Sequence, residues 1–442
     1  MAMLPEESSL QDLLTQVYQD NPNIQTARME VLGVHEGASQ ALSGFKPTLS
    51  GTASFSSSLT EPDTFGAASG ESEIYSLEIS QPLYRGGSTS ADLRLADRQI
   101  QAQWERYRKS EQQIFLKAIE VFLNVIRDQE ILSLNENNEN VLNKQLEAEK
   151  DRFSLGAITR TDVSQAASRL AAARAARILS VAQLRSSQAS YAEVAGEWPK
   201  ELSVPVKEML PSLPETQEEA LNISNSYNPD IIMAGFNYQA AEAEVRTIKG
   251  GLLPSLDLKG KTTRTYNPVF GTESKIDSSR VELSATIPLY TAGKTRSKLR
   301  QAKYQEKQKS TEIHSVMREV KQRVITDWED FIAVQAEMEA RQAQIDAAEI
   351  ALEGVKEEAI LGSRTTLDVL DAEQELLDAR VKMVVAQHDY FLSRFGLMEA
   401  MGTLDIAHLG LRINGYNFET HYKNTKKKWL STSIENGMKF NK

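Results

Sequence analysis

Hydrophobic and polar residues follow two different periods along this chain. Around 49–56 and 75–80, and again in the later part of the chain, they alternate one by one, as in strands that are apolar on one face and wet on the other. From 88 to 154 and from 294 to 361, apolar residues recur every three or four positions, which is the helical period. Such segments predict helices roughly 100 Å long, and their narrow apolar stripe predicts coiled-coil packing.

The pattern occurs twice in the chain. Matched pairs separated by 206 or 207 residues are Asn21-Pro22 and Asn228-Pro229, Leu155-Gly156 and Leu361-Gly362, and Asp162-Val163 and Asp368-Val369. A register kept over such a distance predicts an internal tandem duplication, with one repeat at 8–207 and the other at 215–405.

Each repeat has one predicted plan, namely a helix, a β-hairpin and a long helical hairpin. In the first repeat the β-hairpin spans 46–85 and the helical hairpin spans 88–194. In the second repeat these elements span 253–290 and 294–402, and a C-terminal tail follows at 406–442. The chain therefore carries four predicted strands and is of mixed α and β class.

Four strands are too few to close a barrel, because about eight are needed even for an interior filled by side chains. An open sheet would leave unpaired edges. Several chains are therefore expected to share one barrel. Two chains would give eight strands and little lumen, three would give twelve strands and a lumen, and the residues alone do not choose between them.

Composition excludes several classes of function. The net charge of −11 disfavours nucleic acid as a partner, because phosphate binding needs a basic face; the basic cluster Lys426-Lys427-Lys428 is interpreted as part of a solvated tail. The absence of cysteine excludes disulfides and sulfur-bound zinc, and the five histidines lack metal-ligand spacing. No metal or cofactor is expected. No stretch approaches the roughly 20 apolar residues of a membrane-spanning helix.

One short segment imitates a phosphate-binding loop. Ala292-Gly293-Lys294-Thr295 has the end of that motif, but Pro288 stands where its first glycine is required, and the preceding strand is amphipathic. No catalytic site is predicted, so the chain is not expected to be an enzyme.

Two kinds of motif carry a resemblance to a known family. Both return strands are expected to end in Pro-Leu-Tyr, within Gln81-Pro82-Leu83-Tyr84 and Ile287-Pro288-Leu289-Tyr290. A helix turn has the sequence Leu361-Gly362-Ser363-Arg364-Thr365-Thr366-Leu367-Asp368, with a degenerate copy from Leu155 to Asp162. With these motifs and the duplication, the chain resembles the TolC family of outer-membrane efflux proteins over about 8–410.

The resemblance implies a membrane protein that assembles as a homotrimer. A twelve-stranded barrel would lie in outer-membrane lipid and continue into a long coiled-coil α-barrel in the periplasm, and a signal peptide would already have been removed. The function implied is a passive exit duct for type I protein secretion or multidrug efflux. Its partners would be a periplasmic adaptor protein and an inner-membrane ABC or proton-driven transporter.

A different class of function remains as the alternative. The long coiled coils would also suit a scaffold or adaptor of the cell envelope that transports nothing. The four amphipathic strands argue against that alternative, because a pure scaffold has no use for them at matched positions in both repeats.

Residues near the second helix turn are candidates for an entrance constriction. Asp368 and Asp371 lie three residues apart and share a helix face, so copies around an axis would form an acidic ring that attracts cations. Asp162 and Asp368 also suit helix caps in Thr-x-x-Asp, an explanation that does not reach Asp371. The resemblance implies that Arg364 and Asp162 hold the entrance closed by contacts between neighbouring coils.

The glycine-marked turns are expected to be the tips where the adaptor docks, again by resemblance. These turns are Leu155-Gly156 and Leu361-Gly362, and helix termination by glycine explains them equally well. The family often has a tyrosine latch three residues before the second glycine. This chain has Ala359 there and Phe153 in the first repeat, so the latch is expected to be weaker or differently arranged.

Overall fold

The computed structural model describes residues 9–60, 68–204, 211–267 and 274–434. In chain order, the elements of the first repeat are α1 (Leu10–Asp20), α2 (Pro22–Ser43), β1 (Thr48–Thr60), β2 (Ala68–Arg85), α3 (Ser88–Ser154) and α4 (Arg160–Ala195). Those that follow are α5 (Gln217–Tyr227), α6 (Pro229–Gly250), β3 (Ser255–Tyr266), β4 (Lys275–Thr286), α7 (Lys294–Ile360), α8 (Thr366–Met401) and α9 (Phe418–Thr425). None of the helices in these residues is both long and apolar enough to cross a membrane.

Equivalent helices of the two repeats have equal lengths. The helices α3 and α7 have 67 residues each, and α4 and α8 have 36 each. The helices α1 and α5 have 11 residues each, and α2 and α6 have 22 each. These matches confirm the internal duplication and the mixed α and β class.

The chain forms two compact units, each with segments of both repeats. We call them the helical unit (Met1–Arg28, Glu105–Ile232 and Val316–Tyr416) and the sheet unit (Met29–Trp104, Met233–Ser315 and Asn417–Lys442). Because the units do not coincide with the repeats, the repeat bounds 8–207 and 215–405 stay a prediction from the sequence.

The helical unit is built around buried aromatic and aliphatic side chains. Phe115, Phe122 and Phe395 are among its largest fully buried residues. Val320 and Val324, which belong to the predicted apolar stripe of α7, are also buried. The stripe therefore faces the packed side of its helix, as coiled-coil periodicity predicts.

A buried asparagine fixes the break between the first two helices of each repeat. The amide of Asn21 donates to the carbonyl of Val194 at 2.9 Å, and its side-chain oxygen accepts from the Asn23 N–H at 2.9 Å. The amide of Asn228 donates to the carbonyl of Ala400 at 2.8 Å, and its oxygen accepts from the Asp230 N–H at 2.9 Å. The proline after each asparagine starts the next helix, where its missing N–H costs nothing.

The sheet unit contains one four-stranded antiparallel sheet with the order β1-β2-β3-β4. In β2, a bulge between Pro82 and Tyr84 lets the strand continue to Arg85, opposite Ser255. In contrast, β4 ends at Thr286, also opposite Ser255.

The prediction that both return strands end in Pro-Leu-Tyr is wrong for the second repeat. The ladder stops at Ser255 because the residue before it, Pro254, has no N–H to donate to a longer β4. The segment Ile287-Pro288-Leu289-Tyr290 therefore lies beyond the end of its strand.

Candidate functional site

The two glycine-marked turns have the same backbone. The N–H of Ala157 donates to the carbonyl of Arg152 at 3.0 Å, and the N–H of Ser363 donates to that of Glu358 at 3.0 Å. Gly156 and Gly362, one residue earlier, have φ of +75° and +80°. Each turn is thus a Schellman-type helix end, in which glycine is needed for the left-handed conformation.

A leucine is presented to solvent at each turn. Leu155 and Leu361 are each 83% exposed. Phe153, just before the first turn, is also exposed, whereas Ala359 in the second repeat offers only a methyl group. The predicted docking tips are thus accessible in the chain, and their docking role stays a prediction.

Asp162 and Asp368 each cap the helix that follows the turn. The carboxylate of Asp368 accepts from the N–H and the hydroxyl of Thr365, both at 2.8 Å, and the carboxylate of Asp162 makes the same two bonds with Thr159. The cap explanation therefore holds for both. Hydrogen bonds from Thr365, then the charge of Arg364, hold the pKa of Asp368 below its ordinary value, so this carboxylate is ionised at neutral pH.

Asp371 lies outside the cap and forms an ion pair with Arg169. Asp371 is on α8 in the second repeat and Arg169 is on α4 in the first, so the pair connects the two repeats. Both side chains are partly exposed to solvent. Asp371 is therefore the one of the two predicted ring residues that takes no part in a helix cap.

Arg364 is paired with Glu358, across its own turn, at 2.7 Å. Among the contacts of the described residues, the structure does not bring Arg364 and Asp162 together within the chain. Arg364 is exposed and Asp162 is partly buried, and the predicted gate contact between neighbouring coils stays a prediction. Sequence reasoning missed two residues here, Glu358 and Arg169, and only Glu358 carried a local signal, since it lies six residues before Arg364.

A small hydrophobic cluster brings helices of both repeats together near these turns. Leu370, which lies between Asp368 and Asp371, is buried in it. The other members come from α3 and α4, and they are Leu142, Leu146, Ala166, Leu170 and Ala173. The acidic positions are thus carried by a packed helix rather than by a loop, which fixes their direction.

The sheet has one polar face and one mainly apolar face, and the apolar face also carries the charged residues Glu73, Arg264, Lys275 and Asp277 toward the end where both hairpins turn. Cross-strand partners share a face, so the register places the following residues together on the apolar side: Leu49, Ala53, Phe55, Tyr75, Leu77, Ile79, Leu256, Leu258, Val281, Leu283 and Ala285. The opposite face carries Ser50, Thr52, Ser54, Ser76, Glu78, Ser80, Lys259, Lys261, Arg280, Glu282 and Ser284. Val281 is 80% exposed, so the apolar face is uncovered in the single chain.

Aromatic residues mark two levels of the apolar face. The rings of Phe55 and Tyr75 have centroids 5.9 Å apart, and those of Tyr75 and Tyr266 are 6.2 Å apart. At the other level, the bulge returns Tyr84 to the same face. Nine residues along β2 separate Tyr75 from Tyr84, which is about 30 Å of strand. With the strand tilt of about 40° that barrels have, the two tyrosines would differ in height by about 23 Å. This height is close to that of the apolar band of an outer-membrane barrel.

Comparison with known proteins gives consistent matches over nearly the whole chain. A family model described as "Outer membrane efflux protein" matches residues 13–197 and 221–403. The outer membrane efflux protein BepC of Brucella suis is 30% identical over 430 residues, which cover 97% of this chain and 93% of that protein. The outer membrane protein TolC of Escherichia coli is 24% identical over 408 residues, covering 89% and 82%.

The fold is also similar to that of solved structures. The CmeC outer membrane channel of Campylobacter jejuni superposes with a TM-score of 0.79 at 15% identity, covering 95% of this chain and 89% of that one.

Proposed function

Because the chain belongs to the outer membrane efflux protein family, we propose that three copies of it share one barrel and that Asp368 and Asp371 form the constriction at the periplasmic entrance. The chain is an outer-membrane channel protein for efflux and type I secretion, with its tunnel in the periplasm, and it is not an enzyme. The resemblance seen in the sequence is thereby confirmed, and the scaffold alternative is set aside.

The observation that carries the trimer is the two-faced sheet with open edges. In the described part of the chain, β1 and β4 each pair with a strand on one side only. Three such sheets joined edge to edge make twelve strands, with the apolar face toward lipid. The polar face, where Glu78 and Lys261 lie 3.8 Å apart, would then line a water-filled lumen.

The entrance follows from the same symmetry. Three copies place six carboxylates around the axis, one set held by the Thr365 caps and the other by ion pairs with Arg169. Such a ring favours cations and binds multivalent ones. In the closed ring, Arg364 would contact Asp162 of a neighbouring coil. Opening would shift the coils and exchange that contact, at modest cost, for the exposed pair of Arg364 with Glu358.

A passive duct supplies neither the energy for export nor the choice of substrate, so partner proteins must supply both. A periplasmic adaptor would dock at the exposed tips around Leu155 and Leu361, whose leucines offer apolar contacts. An inner-membrane transporter, ABC or proton-driven, would supply the energy.

Conductance in a planar bilayer tests the entrance. We expect a small, cation-selective channel that is blocked by a trivalent cation such as hexamminecobalt. The double variant Asp368→Asn/Asp371→Asn should lose most of the block, because asparagine keeps the cap hydrogen bonds but not the charge. The control is Asp378→Asn, an exposed acid two turns further along α8, which should keep the block.

Each outcome decides a different part of the proposal. A channel whose block is unchanged in the double variant would place the constriction elsewhere. If the folded protein showed no conductance, the scaffold alternative would again be favoured. Native mass spectrometry in detergent gives the number of chains, and any stoichiometry other than three would contradict the shared barrel of twelve strands.

A further inference from the structure

The described part of the C-terminal tail ends in an exposed segment that the channel function does not use. We call residues 426–434 the tail foot. It begins with the three lysines of the basic cluster and continues with apolar residues that water surrounds. Trp429 is 67% exposed, Leu430 is 93% exposed and Ile434 is 83% exposed. A solvated tail does not explain three large apolar side chains exposed within six residues.

The tail foot is held in place by α9, which is anchored through a buried histidine pair. Nδ1 of His35 lies 2.9 Å from Nδ1 of His421, and the indole N–H of Trp104 donates to Nε2 of His35 at 2.9 Å. Since the indole can only donate, the proton of His35 sits on Nδ1 and is donated to His421. This network fixes α9 against α2 and α3.

Further bonds hold the end of the helix and the foot's first residue, Lys426. The hydroxyl of Ser39 donates to the carbonyl of Thr425 at 2.8 Å. Tyr422 donates to Asp97, and the ammonium of Lys426 lies 3.2 Å from the same carboxylate. The charge of Lys426 is therefore largely balanced, while Lys427 is exposed.

The foot lies at the root of the sheet, where the apolar face begins. The ammonium of Lys46 lies 4.8 Å from the centre of the Trp429 ring, and Lys46 is two residues before β1. Exposed Phe45 is next to it, and its carbonyl accepts from the Gln81 amide at 3.0 Å. Trp429 thus contacts the segment that leads into β1, at the end of the sheet where the apolar face starts with Leu49.

We propose that the tail foot is a membrane-surface anchor that binds anionic phospholipid headgroups of the leaflet facing the periplasm. Tryptophan prefers the boundary between headgroups and acyl chains, and Leu430 and Ile434 add apolar area at the same level. Lys427 and Lys428 complement anionic headgroups, although the chain as a whole carries −11. The proposal rests on the proposed function in one respect, that the sheet lies in the outer membrane.

A fluorescent label at Leu430 tests the anchor without background, because the chain has no cysteine. Leu430→Cys carrying bimane is placed in nanodiscs of phosphatidylcholine and phosphatidylglycerol. We expect quenching by phospholipid brominated high on the acyl chain and little quenching by aqueous iodide. The controls are Val281→Cys on the apolar face of the sheet and Leu361→Cys at the helix turn.

The preference for anionic headgroups is tested by placing the brominated acyl chains on either phosphatidylglycerol or phosphatidylcholine. Brominated phosphatidylglycerol should quench the Leu430 label at least about twofold more than the same fraction of brominated phosphatidylcholine, because each lysine near the surface attracts anionic lipid. Lys427→Gln/Lys428→Gln should remove this preference while leaving quenching at Val281 unchanged.

Two results would overturn the anchor. Iodide quenching equal to that at Leu361 would make the foot a solvated tail, and protection from both quenchers would mean that a second copy covers it. Failure of the proposed function gives a different result, namely a Val281 label that brominated lipid does not quench.

Discussion

The two repeats of this chain share a backbone and differ in charge. Asn21 and Asn228 each donate to a carbonyl, of Val194 and of Ala400, and each accept from the N–H two residues further on. Thr159 and Thr365 cap their helices with φ and ψ that agree within 2°. The charges at the turns are different. Positions occupied by Arg152, Gln165 and Arg169 in the first repeat are occupied by Glu358, Asp371 and Glu375 in the second.

This difference separates two kinds of residue. Side chains that satisfy backbone groups at a helix end occur in both repeats, because the same turn leaves the same N–H and C=O groups unpaired. Side chains that only carry charge differ, so the second turn is acidic and the first is basic. The ion pair between Arg169 and Asp371 joins the two. The proposed acidic ring of the entrance would therefore come from one repeat, on a backbone that both repeats build.

The largest expected difference between the repeats is a pH response confined to the first. Burial, then the neighbouring His421, lowers the pKa of His35 from 6.5 to about 4, whereas its counterpart in the second repeat is Glu242, which is partly exposed and paired with Arg246. A lowered pKa favours the neutral form, so α9 is fully stabilised above pH 6.5 and loses up to about 3 kcal/mol as the pH falls toward 4.

Hydrogen exchange measured by mass spectrometry on 418–425, corrected for intrinsic rates, checks this response. Other charged or titratable groups also face the contact between α9 and His35, namely Asp97, Tyr422 and Lys426. The decisive variant is therefore His35→Gln, which should flatten the pH dependence if His35 is responsible for it. Peptides from 233–250 serve as the internal control. An equal pH dependence in the variant would assign the response to the other groups.

Replacing the junction asparagines should affect the two repeats equally. Asn21→Ala and Asn228→Ala each leave a buried carbonyl without its donor and the next helix without its cap. We expect a loss of about 2 kcal/mol, which speeds local hydrogen exchange about 30-fold. Asn225→Ala, exposed on α5, is the control and should change little. Unequal effects would mean that one of the two junctions is held by other contacts.

Replacing the turn glycines should also destabilise the two repeats by similar amounts. Gly156→Ala and Gly362→Ala place a Cβ on a left-handed residue, at a cost of roughly 1–2 kcal/mol each, although neither Cβ would meet another atom within 4 Å. The matched control is Gly354→Ala, inside α7 with open space around it, which should stabilise its helix by about 0.5–1 kcal/mol. Exchange rates of the flanking peptides measure both, and a neutral Gly362→Ala would contradict the described turn.

The smallest effect on stability should come from the ion pair that joins the repeats. Arg169→Gln removes a partly exposed pair and should cost less than about 1 kcal/mol. The entrance should respond more, because Asp371 then has no cationic partner and binds multivalent cations more tightly. Block by hexamminecobalt should strengthen in Arg169→Gln and revert in Arg169→Gln/Asp371→Asn. Unchanged block in the single variant would show that Asp371 does not face the pore.

The sequence predicted the features that depend on near neighbours in the chain. Alternation predicted the strands, the 3.6-residue period predicted the helices, and Thr-x-x-Asp predicted the caps at Asp162 and Asp368. Distant pairs were beyond it, because nothing local marks which residues meet. The contact between Arg169 and Asp371 spans 202 residues, and that between His35 and His421 spans 386.

Two further differences between the sequence-based predictions and the structure also arise from contacts with residues distant in the chain. The end of β4 depends on where β3 begins, directly after Pro254, so the local sequence around Pro288 could not reveal it. The helix α9 lies in a tail for which the sequence predicted no element, and its position is fixed by partners on α2 and α3 rather than by its own eight residues.

The open edges of the sheet constrain the order in which the channel forms. Unpaired N–H and C=O groups along β1 and β4 are not tolerated in hydrocarbon, so a lone chain cannot complete insertion before it meets others. Under the proposed stoichiometry, the appearance of channels should rise more steeply than linearly with chain concentration. Tandem duplication makes this assembly faster, because a chain that carries two hairpins needs half as many copies to complete the ring as a chain that carries one.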